Sequence, residues 1–266
     1  MHRLSREVRF SINPFLEKDA EGFNSFCSMP ASEGLALFFE VTVELQGPVE
    51  PSTGFVINVL DIDKQVRKFA VPVFARRIRE LFNKRKYIGF SEIQEILRKS
   101  SRSLEGKFGS AGLCRLTLSL NPFRKIAIDL QEEKMVYFSE KFEFAATHTL
   151  WNRKFSKQKN VLVFGKCANP NGHGHNYIVE VTIKTEPDKE RFHISDFEKI
   201  VTGQLISILD HKNLNKDVRY FSKVIPTVEN LAVFGWNKLA GGFNEAKLHC
   251  VTIWETDKTF CSYYGE

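Results

Sequence analysis

The chain reads as an α+β protein made of two tandem copies of one unit, each combining antiparallel strands with helices. Three observations lead there. Tyr177, Val179, Val181 and Ile183 share one parity while Glu180, Thr182 and Lys184 take the other, the alternation of a half-buried strand. Phe197, Ile200, Val201, Leu205, Ile208 and Leu209 follow helical spacing. Third, the halves align at an offset of 140 residues: Ser32-Glu33-Gly34-Leu35 and Glu40-Val41-Thr42-Val43 fall on Gly172-His173-Gly174-His175 and Glu180-Val181-Thr182-Ile183.

The first copy is placed at residues 1–132. Phe10-Ser-Ile-Asn-Pro14 corresponds to Phe144-Ala-Ala-Thr-His148, and Cys27 to Cys167. Asp61 to about Ala70 carries Ile62, Val66 and Phe69 at helical spacing, and Ser91-Glu-Ile-Gln94 opens a second helix. Leu116-Thr-Leu-Ser-Leu120 corresponds to Val251-Thr-Ile-Trp-Glu255. A short charged stretch, Gln131-Glu-Glu-Lys134, marks the boundary with the second copy, residues 133–266. There Ser195-Asp-Phe-Glu198 has the form of a capping box. Thr227 is a plausible N-cap after Pro226, and Gly241-Gly242 stops that helix.

Composition narrows the functional classes. Lys and Arg exceed Asp and Glu by 38 to 32, an excess compatible with an anionic small substrate and no argument for nucleic acid. Five cysteines without close pairs argue for a reducing compartment. No signal-peptide core and no apolar run of membrane length are found, so a soluble cytoplasmic protein without membrane partners is expected.

The chemistry concentrates in the second copy. His173 and His175 are two residues apart, so on a strand both imidazoles face one side. Phe142, Phe144, Ala146 and His148 share a parity and add a third imidazole. Three neutral imidazoles with an open position describe a catalytic Zn2+ site better than a structural one. Cys167, six residues before His173, is placed to accept a proton beside the metal. Glu255 shares a strand face with Val251 and Ile253, and a carboxylate directed into apolar space needs a partner. In the first copy Pro14, Glu33, Leu35 and Leu120 stand at the positions of His148, His173, His175 and Glu255, and Asp210-His211 has no counterpart. That copy is expected to bind no metal.

Cys167-Ala-Asn-Pro-Asn-Gly-His173-Gly-His175-Asn-Tyr177, Asp210-His211-Lys-Asn-Leu214-Asn, Pro226-Thr227-Val-Glu229-Asn230 and Trp254-Glu255-Thr256-Asp257, followed by the closing Tyr264-Gly265-Glu266, resemble the 6-pyruvoyltetrahydropterin synthase family over roughly residues 134–266. The resemblance implies the tunnelling fold, in which antiparallel sheets with helices on one face join between subunits into a β-barrel. It therefore implies a homo-oligomer, here a trimer or hexamer. It implies a lyase that removes triphosphate from 7,8-dihydroneopterin triphosphate in tetrahydrobiopterin biosynthesis. Cys167, Asp210 and His211 would be catalytic, with Glu255 anchoring the pterin, helped by Thr227. Two alternatives stay open: 6-carboxytetrahydropterin synthase, on the path to queuosine, and a non-catalytic pterin-binding or assembly protein. The basic run Arg153-Lys154-Phe-Ser-Lys157-Gln-Lys159 follows His148 and is either a solvated loop or a contact for substrate phosphates.

Overall fold

The computed structural model describes residues 1–17, 23–24, 29–30, 34–132, 135–186 and 192–266. Cys27, Ser32 and Glu33 of the first copy, and Glu133 and Lys134 of the expected boundary, lie outside the described residues. The chain forms two compact units, Met1–Phe138 with Thr185–Glu190, and Ser139–Lys184 with Arg191–Glu266.

In the first unit four long strands, β1 (His2–Ile12), β2 (Leu37–Gly47), β3 (Gly112–Asn121) and β4 (Arg124–Asp129), pair in chain order, each antiparallel to the next. The two-residue period decides the buried face: Val8, Phe10 and Ile12 on β1, Val41, Val43 and Leu45 on β2, Leu116 and Leu118 on β3. Helices α1 (Val59–Gln65), α2 (Val71–Asn83) and α3 (Phe90–Leu104) lie between β2 and β3. α3 packs against β3 and β4.

The helical run therefore reaches Asn83 rather than ending near Ala70. Its apolar stripe continues through Phe74, Ile78 and Leu81, all buried. Residues Val66–Ala70 between α1 and α2 form a π-helical stretch. Ile62, Val66, Ala70, Phe74 and Ile78 are buried at a strict spacing of four. Such a stripe would drift around a helix of 3.6 residues per turn, and the wider π turn takes up the difference. α3 begins at Phe90, and Glu92 closes its first turn by accepting from the Gly89 N–H (2.9 Å). Ser91 is not its cap. Asp63 is fully buried and receives a two-pronged pair from Arg6, Nε to Oδ1 at 2.9 Å and Nη2 to Oδ2 at 3.0 Å.

The second unit holds β5 (Val136–His148) from Ser139 onward, β6 (His173–Thr185) up to Lys184, β7 (Lys247–Thr256) and β8 (Thr259–Tyr263), again neighbours in chain order. β6 pairs antiparallel with β7, Val181 facing Val251, and β7 with β8, Val251 facing Tyr263. Tyr177, Val179, Val181 and Ile183 are all fully buried, as their parity predicts.

The helices of this unit are α4 (Lys157–Phe164), α5 (Ile194–Val201), α6 (Ser207–Leu209), α7 (Leu214–Asp217) and α8 (Val228–Leu239). α8 packs against β7 and β8. Between α5 and α6 lies a second π stretch, Thr202–Ile206. Here too the buried stripe, Phe197, Val201, Leu205 and Leu209, keeps a spacing of four.

The expected capping box at Ser195 does not form. α5 starts at Ile194 with His193 at the N-cap and no side-chain capping bond, so Ser195 already lies in the first turn. α8 meets expectation at both ends. Thr227 caps it through Oγ1, which accepts from the Asn230 N–H (3.4 Å), and Gly241 takes φ +76° just beyond it. Among the described residues no helix is long and apolar enough to cross a membrane.

Candidate metal centre and active site

Three imidazoles meet where the ends of two neighbouring strands come together. His148 closes β5, and His173 and His175 open β6. One ring nitrogen from each lies within 4.8 Å of the others. His148 Nε2 and His173 Nε2 are 3.0 Å apart.

Local chain geometry produces the convergence. Gly172, just before β6, has φ +76°, and a Cβ there would sit 3.0 Å from the His148 carbonyl oxygen. Glycine is thus required both by the left-handed turn and by the close approach of the chain. Gly174 passes Thr147 and Ala146 so closely that a Cβ would touch both.

His148 is wholly buried. Its Nδ1 lies 2.7 Å from the carbonyl oxygen of Pro226. A carbonyl can only accept, so Nδ1 carries the hydrogen and Nε2 keeps its lone pair toward the other two rings. Burial, followed by the neighbouring His173 and His175, lowers the pKa of His148 to about 4, against the partial opposition of the Pro226 bond. Burial and His175 lower that of His173 as well. Both rings are therefore neutral near pH 7, as ligands must be. His175 Nε2 is buried without a hydrogen-bond partner among the described residues. An orphaned lone pair facing two others fits a divalent metal ion.

Glu255, near the end of β7, points its Oε1 at this cluster, 3.5 Å from His148 Nε2 and 3.6 Å from His175 Nε2. Tyr177 is fully buried, and its hydroxyl stands 3.4 Å from both ring nitrogens of His148. Burial raises its pKa, with Glu255 and Cys167 adding to the rise, so the hydroxyl stays protonated.

Cys167 is half-buried in a single 3-10 turn, Gly165–Ala168. Its carbonyl oxygen accepts from the Leu150 N–H at 2.9 Å, tying the turn to the chain just beyond His148. Asp210 ends α6, and His211 adopts φ +55°. The His211 N–H donates to the Ala145 carbonyl (2.6 Å) and Asp210 Oδ1 accepts from the Ala145 N–H (2.9 Å). Asp210 Oδ2 faces His211 Nδ1 at 2.9 Å. The Ala145 N–H and then His211 hold the Asp210 carboxyl below its usual pKa. The two-residue strand Lys212–Asn213 then runs parallel to Ala146 and Thr147. His211 and His175 line one cavity of about 460 Å³ together with Lys212 and Gly174. Among the described residues Cys167 and His211 share no hydrogen bond. Thr227 is half-buried, one residue after the Pro226 carbonyl that holds His148.

The structure thus gathers His148, His173, His175 and Glu255 at one point, with Cys167 on the adjoining turn. Asp210 and His211 stand on the far flank of β5. Three participants escaped the sequence reading. The Pro226 carbonyl belongs to the main chain and leaves no residue-type signal. Tyr177 was visible only as a core residue. Lys212, which lines the cavity beside His211, follows an acid–histidine pair whose residue types are the stronger chemical signal.

Known proteins resemble the second half of the chain. A family profile for 6-pyruvoyl tetrahydropterin synthase matches residues 137–266. The 6-pyruvoyl tetrahydrobiopterin synthase of Homo sapiens is 40% identical over 131 residues, covering 48% of this chain and 90% of that one. The enzyme of the same name from Poecilia reticulata is 40% identical over 137 residues, covering 50% and 93%. The 6-carboxy-5,6,7,8-tetrahydropterin synthase of Aquifex aeolicus is 31% identical, covering 48% of this chain and 97% of that one. With its imidazole cluster inside the matched half, the chain belongs to the 6-pyruvoyl tetrahydropterin synthase family.

Proposed function

We propose that the second unit is a zinc-dependent 6-pyruvoyltetrahydropterin synthase that eliminates triphosphate from 7,8-dihydroneopterin triphosphate, a carbon–oxygen lyase of tetrahydrobiopterin biosynthesis. The observation that carries the reading is the convergence of His148, His173 and His175 with the Glu255 carboxylate beside them. Three neutral nitrogen donors with an open position suit Zn2+. Bound there, the metal would polarise the substrate's side-chain hydroxyls and acidify the neighbouring C–H.

The protein's own groups have separate tasks. Glu255 binds the pterin's amino group and ring N–H side by side, a two-oxygen match for two donors, and Thr227 assists from the start of α8. Cys167 accepts a proton from the substrate side chain. Asp210 orients His211 and stabilises its protonated form, so the pair can return a proton. A 2.9 Å Asp210–His211 contact supports that role.

The first unit is proposed as a degenerate copy, residues 1–132, serving as scaffold within a homo-oligomer of cytoplasmic location. Three features support the duplication. Both units run two long strands, helices, then two strands, paired in chain order, although in the second a short helix, α4, also lies between the first two strands. In each the last long helix packs on the last two strands. In each a π stretch interrupts the first long helix after β2 or β6. Leu35, at the His175 position, is 96% exposed, which supports the absence of a metal there. Sheet edges closed between subunits into a barrel would protect unpaired strands.

The test is incubation of the purified, metal-loaded protein with 7,8-dihydroneopterin triphosphate and identification of products by mass spectrometry. The 6-pyruvoyl product with released triphosphate is expected. A 6-carboxy product with acetaldehyde would assign the activity of the Aquifex relative instead, and no turnover would leave a binding or assembly protein.

A further inference from the structure

From Phe144 to Val179 the chain contains no Asp or Glu but five cations, Arg153, Lys154, Lys157, Lys159 and Lys166. Outside it the two signs nearly balance, 33 against 32, so this stretch carries nearly all of the chain's positive excess. All five cations are exposed. Among the described residues no carboxylate pairs with Arg153, Lys154, Lys157 or Lys166. Lys159 lies over the Phe155 ring at 4.1 Å.

The loop that carries them is clamped rather than loose. Asn160 is fully buried. Its Oδ1 accepts from the Asn152 N–H (2.7 Å), and its Nδ2 faces the carbonyls of Asn152, Phe155 and Ser156 at 3.0–3.2 Å. Ser156 Oγ caps α4 by accepting from the Lys159 N–H (3.2 Å). At the root of the loop, Asn215 bonds both main-chain groups of Thr149 (2.8 and 3.0 Å). Leu150 then bonds the Cys167 carbonyl. A purely solvated surface loop gains nothing from holding like charges together, since their repulsion opposes the fold. A clamped loop that carries five exposed cations on the segment joining His148 to Cys167 is instead suited to a polyanion, whose several charges each find a donor.

We infer that residues 152–159 with Lys166 form a polyphosphate-binding subsite that receives the triphosphate of the substrate. Naming the substrate's own triphosphate as the ligand rests on the function proposed above. Polyphosphate binding itself does not.

The experiment titrates inorganic triphosphate into the full-length, metal-loaded protein by calorimetry at two ionic strengths. It compares wild type with R153Q/K154Q, with K157Q/K159Q, and with the control K238Q/K247Q outside the stretch. Each loop pair should weaken triphosphate binding at least tenfold and flatten its salt dependence, with metal content and the control's affinity unchanged. Equal affinity in both loop variants, or equal weakening in the control, overturns the subsite. The same proteins assayed with pterin triphosphate separate the two ideas. Loop-dependent triphosphate binding without any turnover supports the subsite and sinks the synthase reading. Turnover with kcat/KM unchanged in the loop variants does the reverse.

Discussion

His148 gives its Nδ1 hydrogen to the carbonyl oxygen of Pro226, 78 residues further along the chain and 2.7 Å away. That bond selects the tautomer whose lone pair faces His173 and His175. His148→Ala should therefore remove both a ligand and the only wholly buried imidazole of the three. Expected is loss of bound metal, read by plasma emission spectroscopy, and loss of turnover beyond 100-fold. His148→Asn, which can keep the bond to Pro226, should fold as well as wild type while still failing to hold the ion.

The depressed pKa of His148 ties stability to pH in the metal-free protein. Its folded value is about 4, below the ~6.5 of an unfolded chain. Between those values the unfolded state binds the extra proton, so stability rises with pH. The contribution is fully present above about pH 6.5 and is lost as the pH falls toward 4, amounting to roughly 3 kcal/mol. Urea denaturation of the chelated protein from pH 8 to 4 should show this slope, and His148→Asn should show a flatter one. Parallel slopes would mean that other groups set the acid limit.

Glu255 stands near enough to two imidazoles that substrate anchor and metal ligand must be told apart. Glu255→Gln preserves the shape and removes one acceptor oxygen's charge. As an anchor its loss should leave zinc stoichiometry intact and raise KM, or lower kcat/KM, by 10-fold or more. A fall in zinc affinity would instead put the carboxylate in the coordination shell.

Cys167→Ala should abolish turnover with metal content near normal, because the thiol is assigned to proton transfer. Retained rates with Cys167→Ala would pass that task to another group, Tyr177 first among the neighbours. Loss of the ion in the same variant would make the sulfur a ligand.

In the first unit Arg6→Ala leaves the fully buried Asp63 carboxylate without its two-pronged partner. Uncompensated buried charges cost about 3–5 kcal/mol. A drop of that size in unfolding free energy, measured by urea denaturation, is expected. A change below 1 kcal/mol would show that the buried Asp63 finds another partner or takes up a proton.

Much of this was legible beforehand, because strand parity depends only on the alternation of neighbouring residues. The shared face of His173 and His175 followed from that period alone, whereas the approach of His148 from a separate strand was expected only from the wider motif set and the family resemblance. Helix caps were less legible. Ser91 and Ser195 both look like starts, yet Glu92 bonding Gly89 and a helix opening at Ile194 took precedence. Serine capping competes with any arrangement that satisfies the same N–H groups, and tertiary packing chooses between them. The first helical run extends beyond Ala70, because its apolar stripe keeps a spacing of four that a 3.6-residue period does not follow. Pro72 is tolerated because it falls in the first turn of the Val71–Asn83 helix, where its N–H is not required. The Asn160 clamp and the Pro226 carbonyl could not be read at all. Each depends on main-chain groups brought near by folding, and those groups are alike at every position.

The extra-wide turn at Thr202–Ile206 has a bearing on how this family member can evolve. It sets the rotational phase of all that follows, including the Asp210-His211 step onto β5. Removing one residue there would swing the downstream helix by about 100°, turning Leu209 outward and carrying the acid–histidine pair away from its seat on Ala145. Insertions and deletions that an ordinary surface helix would absorb are thus barred from this one. In the first unit the π stretch Val66–Ala70 continues a buried stripe through Ile62, Val66, Ala70 and Phe74, so its length is held by packing.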